Sequence, residues 1–274
     1  MRLLPAILAA LWAGPVLAQG VLVAPHAVFV DPRSRSGWVQ LHNPGTEPTE
    51  VSIGAIFGYP VTDSLGVLQL RTVDQPDSTA PSAAGWLQIF PRRVVIPGQT
   101  RQMIRLLVLP PPGARDGEYW ARLVIAAKAG QVPVAGGDST GAIAVGLSLE
   151  VRTIIPLIYR KGQTATAVTM SNLRATADGD SVVVRVRLAR QGSAAFLGSV
   201  RGSLLDPAGR LVGSFTEPIS VYYDIDPRFS LARRGLPPGQ YRLVVEAISE
   251  RDDIPPENIL PAAPARATLN VRLR

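Results

Sequence analysis

The sequence predicts an all-β chain organised as two β-sandwich domains. Three observations lead there. The chain's 25 prolines and 25 glycines divide its 274 residues into short segments. Within those segments apolar residues alternate with a period of two, and no extended heptad or helical stripe competes with them. The run of alternating segments also reaches 155–162 and then restarts, as expected for two units of roughly 100 to 150 residues each.

Residues 1–18 read as a secretory signal: Arg2 is the only charge, an apolar run follows, and Val16-Leu17-Ala18 offers small or moderate residues at the cleavage positions. The run is broken by Pro5, Gly14 and Pro15 and is short for a bilayer span, and no other segment reads as one, so no stable membrane insertion is expected. Removing the signal leaves 19–274 and takes away one of 28 basic residues, against 21 acidic ones. There is no cysteine, so an exported chain of this kind relies on packing rather than disulfides.

In chain order, 21–30 is apolar with Pro25 near its middle, an interrupted or edge strand. Trp38-Val39-Gln40-Leu41-His42 alternates and runs into the turn signal Asn43-Pro44-Gly45-Thr46. Strands are expected at 50–57 and, more weakly patterned, within 63–75. The segment 86–106 reads as strand, turn at Pro97-Gly98, strand. Asp116-Gly117-Glu118-Tyr119-Trp120 enters another at 119–125. A loose Gly/Pro-containing stretch, 129–141, precedes 143–151, where Ile143, Val145, Leu147, Leu149 and Val151 share one face and Ala, Gly, Ser and Glu fill the other. That is a strand with one apolar side beside a loop of low packing potential. It suits a strand lent to another protein as well as an internal sandwich strand.

After the junction, strands are expected at 165–170, 181–190, 196–205, 211–215, 219–223, 228–232, 241–248 and 267–273, with a hairpin-type turn at Asp206-Pro207-Ala208-Gly209. Leu236-Pro237-Pro238-Gly239-Gln240-Tyr241 resembles the corner of Ig-like sandwiches, where a Tyr at a strand start bonds back to nearby backbone.

Several functions are excluded or weakened. Arginines are spread singly, as in Val184-Arg185-Val186-Arg187-Leu188, at outward positions of a strand; no basic run interleaved with aromatics suggests nucleic acid. With only His26 and His42 and no cysteine, common zinc and thiolate sites cannot be assembled, and neither a metal nor another cofactor is expected. No G-x-S-x-G, H-E-x-x-H or Walker pattern is present, and the acidic pairs Asp178/Asp180 and Asp252/Asp253 sit in turn-like segments. An enzyme is not expected. Trp38, Trp86 and Trp120 read as core aromatics rather than a sugar platform.

The ordered features of the first half resemble the periplasmic pilus-assembly chaperones of the PapD-like family. The residues that carry the resemblance are Pro91-Arg92-Arg93 through Pro97-Gly98-Gln99 and Ile104-Arg105, then Asp116-Gly117-Glu118-Tyr119-Trp120, then the alternating strand running into Ile155-Pro156-Leu157-Ile158-Tyr159-Arg160. It spans essentially all of 19–274, the second domain only in general pattern. The resemblance implies two Ig-like β-sandwich domains in a boomerang arrangement, 19–158 and 159–274, in the periplasm. It implies pilin-like subunits as partners, bound by donor-strand complementation, a form of β-augmentation. Leu147, Leu149 and Val151 would then be the principal plugs of a subunit's groove, with Val145 and Ile143 extending the row.

The family also anchors the subunit's terminal carboxylate with an Arg on the first strand and a Lys near the end of the lent strand. Here His26 and Pro156 stand at those positions, and Arg152, which shares Pro156's parity, is the candidate replacement although four residues along a strand is about 13 Å. An outer-membrane usher and a self-capping dimer are the further partners this reading raises. The alternative is a non-catalytic Ig-like structural or adhesive surface protein that keeps the fold without lending a strand.

Overall fold

The computed structural model describes residues 20–128, 132–133, 146–147, 149–233 and 235–273. The expected signal at 1–18, Ile143 and Val145 lie outside them. The first half contributes β1 (Leu22–Ala24), β2 (Val28–Val30), β3 (Ser36–His42), β4 (Thr49–Thr62), β5 (Leu68–Val73), β6 (Leu87–Phe90), β7 (Arg93–Ile96), β8 (Arg101–Val108), β9 (Gly117–Lys128), β10 (Val132–Pro133), β11 (Gly146–Leu147) and β12 (Glu150–Lys161). One sheet has the order β1-β3-β8-β6 and the facing sheet β2-β12-β9-β4-β5, with β7 also on β4.

The alternation read from the sequence decides which side chains meet between these sheets. Val39, Leu41, Ile104, Leu106 and Val108 from the first layer pack with Val51, Ile53, Leu123, Ile125, Ile155, Leu157 and Tyr159 from the second. Pro25 ends β1, and the chain then changes sheets: β1 pairs with β3, while β2 runs parallel to β12.

The second half contributes β13 (Thr166–Asp178), β14 (Ser181–Gly192), β15 (Phe196–Leu205), β16 (Leu211–Val221), β17 (Arg228–Ala232), β18 (Gly239–Ile248) and β19 (Ala265–Leu273). Sheets β13-β14-β17 and β16-β15-β18-β19 enclose a core of Val182, Val184, Leu188, Phe196, Val200, Leu243 and Val245 among others. Each half is therefore an Ig-like sandwich, and each carries a tyrosine corner. The Tyr241 hydroxyl donates to the Pro237 carbonyl at 2.8 Å, as its sequence context suggests, and the Tyr119 hydroxyl donates to the Arg115 carbonyl at 2.8 Å.

Two expectations need correction. The strands expected at 211–215 and 219–223 merge into one, β16, which ends at Val221; Pro218 does not break it because β16 is the edge of its sheet, where a missing N–H is tolerated. Strand β4 runs past Phe57 to Thr62 because it forms a hairpin with β5, so residues 63–67 are a turn rather than strand. Strand β12 covers most of the junction read at 155–162, its pairing with β9 continuing to Lys161 opposite Gly117. The chain turns next, at Gly162, whose φ of +66° favours glycine.

The two sandwiches are joined by a third apolar cluster of Phe57, Trp120, Ile158, Ala195, Leu197, Tyr222 and Ile254. The tip of the β4–β5 hairpin also reaches across. The Asp226 N–H donates to Thr62 Oγ1 at 2.9 Å, the Arg228 N–H to the Gly66 carbonyl at 2.9 Å, and Arg185 Nη1 to the Ser64 carbonyl at 3.0 Å.

Candidate functional site: an open strand edge and the cleft beside it

Strand β12 is paired along its whole length on one side, from Glu150 opposite Lys128 to Lys161 opposite Gly117. On the other side β2 covers only Leu157–Tyr159. Among the described residues no strand pairs with that second edge from Glu150 to Pro156. Such an edge presents unmet N–H and C=O groups at every second residue and is a template for another strand.

The side chains of β12 divide by parity. Ile155, Leu157 and Tyr159 are buried in the first core. Val151 and Leu149 continue the same row toward the loop; Val151 is half-buried and Leu149 is 48% exposed. The apolar row thus outruns the core that it belongs to. Before Leu149, the backbone of Gly146–Leu147 pairs with Val132–Pro133 in a short β10–β11 ladder, so Leu147 stays in strand conformation.

The even residues at the far end of β12 face the second sandwich. Ile158 enters the inter-domain cluster, and Arg160 donates through Nε to Glu118 Oε2 at 2.8 Å and through Nη1 to the Asn258 carbonyl at 2.6 Å. The Glu118 side chain is fully buried, and its Oε1 accepts from Trp120 Nε1 at 2.7 Å and from the Ala195 N–H at 2.9 Å. One carboxylate therefore ties β9, β12 and the second sandwich together. This fixes where β12 sits relative to the second domain.

Beside β12 a cavity of ≈ 130 Å³ is lined by His26, Pro156, Arg122, Ser220, Tyr222 and Arg251, among others. The structure thus brings His26 and Pro156 to one place. Two guanidinium groups that the sequence reading did not single out join them. Arg122 is buried, donates from Nε to the Gly58 carbonyl at 3.0 Å and lies 5.0 Å from the centre of the Tyr222 ring. Arg251 donates from Nη1 to Ser220 Oγ at 2.8 Å and grips Asp253 through Nε and Nη2.

Those bonds to Arg251 hold the Asp253 carboxyl below its ordinary range. Burial pushes the Tyr222 phenol up, with Arg122 opposing it. Guanidinium groups in such a setting suit a carboxylate, which they can meet with charge-assisted hydrogen bonds. Arg152 is not among the residues that line this cavity: its Nε donates to Glu150 Oε1 at 2.6 Å, and its side chain is exposed. The parity of Arg122 with Trp120 within β9 was the signal available in the sequence. The second sandwich that covers that face is not visible locally in the sequence.

Trp38 also departs from expectation. Trp120 is buried and Trp86 packs on the first core, but Trp38 is exposed, because Val39 and Leu41 take the inward parity of β3. Among the described residues no group of three or more His, Cys, Asp or Glu side chains could hold a metal ion.

Known structures with a similar fold can be set beside this geometry. No protein-family model matches the sequence, and no curated protein does. The similar solved structures include fimbrial chaperones. A chain of the CsuC–CsuE chaperone–tip adhesion subunit pre-assembly complex from Acinetobacter baumannii is 13% identical, with 83% of this chain and 93% of that chain covered and a TM-score of 0.46. The YadV chaperone is 16% identical, with 92% and 99% covered and a TM-score of 0.44. The CupB2 chaperone of Pseudomonas aeruginosa is 15% identical, with 92% and 100% covered and a TM-score of 0.40.

Proposed function

We propose that this protein is a periplasmic chaperone that holds pilin-like subunits by lending them the strand that leads into β12. The observation that carries the reading is the half-paired state of β12: its free edge at Glu150–Pro156 coincides with an apolar row that extends beyond its own core at Val151 and Leu149. A β-sandwich lacking one strand needs both things at once, a backbone edge to close its sheet and apolar side chains to fill its groove. Leu147, Val145 and Ile143 would extend the row into the client.

Burying a Leu or Val side chain fully is worth about 1.5 to 3 kcal/mol, so a few such plugs hold a client before ordering costs are subtracted. The cleft of Arg122 and Arg251 would receive a carboxylate of the client, taking over from the Arg/Lys pair that His26 and Pro156 replace. The same open edge would allow two copies to cap each other when no client is present.

The test is capture of the client from the native periplasm by wild type and by Leu147→Asp/Leu149→Asp, with circular dichroism and thermal melting of both. The reading expects a β-rich client on the wild type alone, with the melt of the variant preserved. Wild type that retains no client would favour the structural or adhesive alternative, and a variant that fails to fold would make Leu149 an ordinary core residue.

A further inference from the structure

We infer that the outer face of the β1-β3-β8-β6 sheet is a docking face for an anionic phospholipid surface. Inward residues of these strands fill the first core, and the outward ones form a regular grid. Trp38, Arg105 and Phe90 stand in register across β3, β8 and β6; Gln40 faces Met103, His42 faces Arg101, and Leu107 faces Gln88. Leu22 on β1 extends the row of His42 and Arg101.

Two properties set this face apart. Its apolar residues are large and open: Phe90 is 75% and Trp38 52% exposed, and Leu22, Met103 and Leu107 are exposed as well. Its outward positions hold no Asp or Glu. On the second sandwich, by contrast, arginines are neutralised in pairs, as in Arg187–Asp224, Arg201–Glu250 and Arg266–Glu246. Arg101 and Arg105 have no ion pair among the described residues, nor do Arg92 and Arg93, which follow Phe90 at the rim. Net positive charge is therefore uncompensated where aromatic surface is greatest.

Charge complementarity calls for an anionic occupant, and the aromatic side chains flanking the cations select the kind. Neighbouring strands lie about 4.8 Å apart, so Trp38 and Phe90 are displayed about 10 Å apart on one pleated plane around Arg105. Bilayer interfaces accept that pattern, with Trp and Phe at headgroup depth and cations at the phosphates. A second copy of the same face would instead meet like charge. The attachment proposed is peripheral, through side chains of one sheet face; no helix among the described residues is long and apolar enough to cross a membrane. It would leave β12 accessible, since β12 belongs to the opposite layer, and it holds whether or not β12 lends a strand.

The experiment is co-sedimentation of residues 19–274 with phosphatidylglycerol vesicles and with phosphatidylcholine vesicles, at low and at high salt. Wild type is expected to bind the former alone and to be released by salt. Neutralising one surface cation weakens such adsorption about fivefold, so Arg101→Gln/Arg105→Gln should lose about 25-fold. Trp38→Ser/Phe90→Ser should lose at least as much, with the thermal melts of both variants unchanged. Quenching of Trp38 fluorescence by brominated acyl chains should accompany binding.

Absence of binding to phosphatidylglycerol, or binding that neither double variant weakens, overturns the inference. So does a dimer in sedimentation equilibrium that Trp38→Ser/Phe90→Ser abolishes without any vesicle binding, which would assign the face to a second copy.

Discussion

Glu118 shows how much one side chain can hold. Its carboxylate accepts hydrogen bonds from Trp120, Ala195 and Arg160 inside the joint between the two sandwiches. Removing it leaves the largely buried Arg160 without its partner, and breaking a buried pair in this way costs about 3 to 5 kcal/mol. Glu118→Ala is therefore expected to lower the midpoint of urea unfolding strongly. Glu118→Leu/Arg160→Leu should recover part of the loss, because no buried charge is then unpaired.

Asp253 gives a pH-dependent counterpart. Its folded pKa is lowered by Arg251 from an ordinary value of 3.8, so the stability it contributes is present above that value and disappears as pH falls through the folded pKa. Thermal melts of wild type and Asp253→Asn should differ at pH 6 and converge well below pH 3.8. Little of this was legible in the chain. The segment from Asp116 to Trp120 stood out as a motif, but Glu118's role depends on Ala195 and Arg160, which are distant in sequence. Tyr119 occupies the same strand-start setting as Tyr241 and could have been read as a second corner.

At the scale of elements, period-two patterning located nearly every strand but not strand lengths. Strand β4 ends its pairing with β9 at Ile56, opposite Arg122, and continues with β5 alone. One edge is then free, which is why Pro60 fits inside it. The resulting hairpin is pinned to the second sandwich at Gly66, whose φ is +82° and where an added Cβ would lie 2.9 Å from Arg228 Cβ and 3.0 Å from the Asp226 carbonyl. Gly66→Ala is expected to cost about 1 kcal/mol or more and to open the 63–67 turn to proteolysis. Unchanged cleavage would mean that the hairpin tip is not held by those contacts. The edge strand β12 was legible as an apolar row, whereas its one-sided pairing was not, because strand order is a long-range property.

Across the whole molecule, two sandwiches with separate cores share a third cluster, and β12 runs from the first into the joint. That arrangement places a half-paired strand, an apolar row and an arginine-lined cleft along one side of the protein. Leu149→Asp should weaken client binding by on the order of 100-fold, the equivalent of about 3 kcal/mol, while the global melt stays near that of wild type. The two-domain class and the apolar row could be read from the chain. The cleft could not, since Arg122 and Arg251 come from different sandwiches and converge only when the joint forms.

The central claim is that the free edge of β12 pairs with a strand of the client. Amide hydrogen exchange over Glu150–Ile155, measured on the free protein and on its complex with a captured subunit, tests this most directly. Strand lending predicts fast exchange at the outward-facing amides of the free protein and strong protection of those same alternate amides in the complex. A stable complex in which they exchange as fast as before would contradict it.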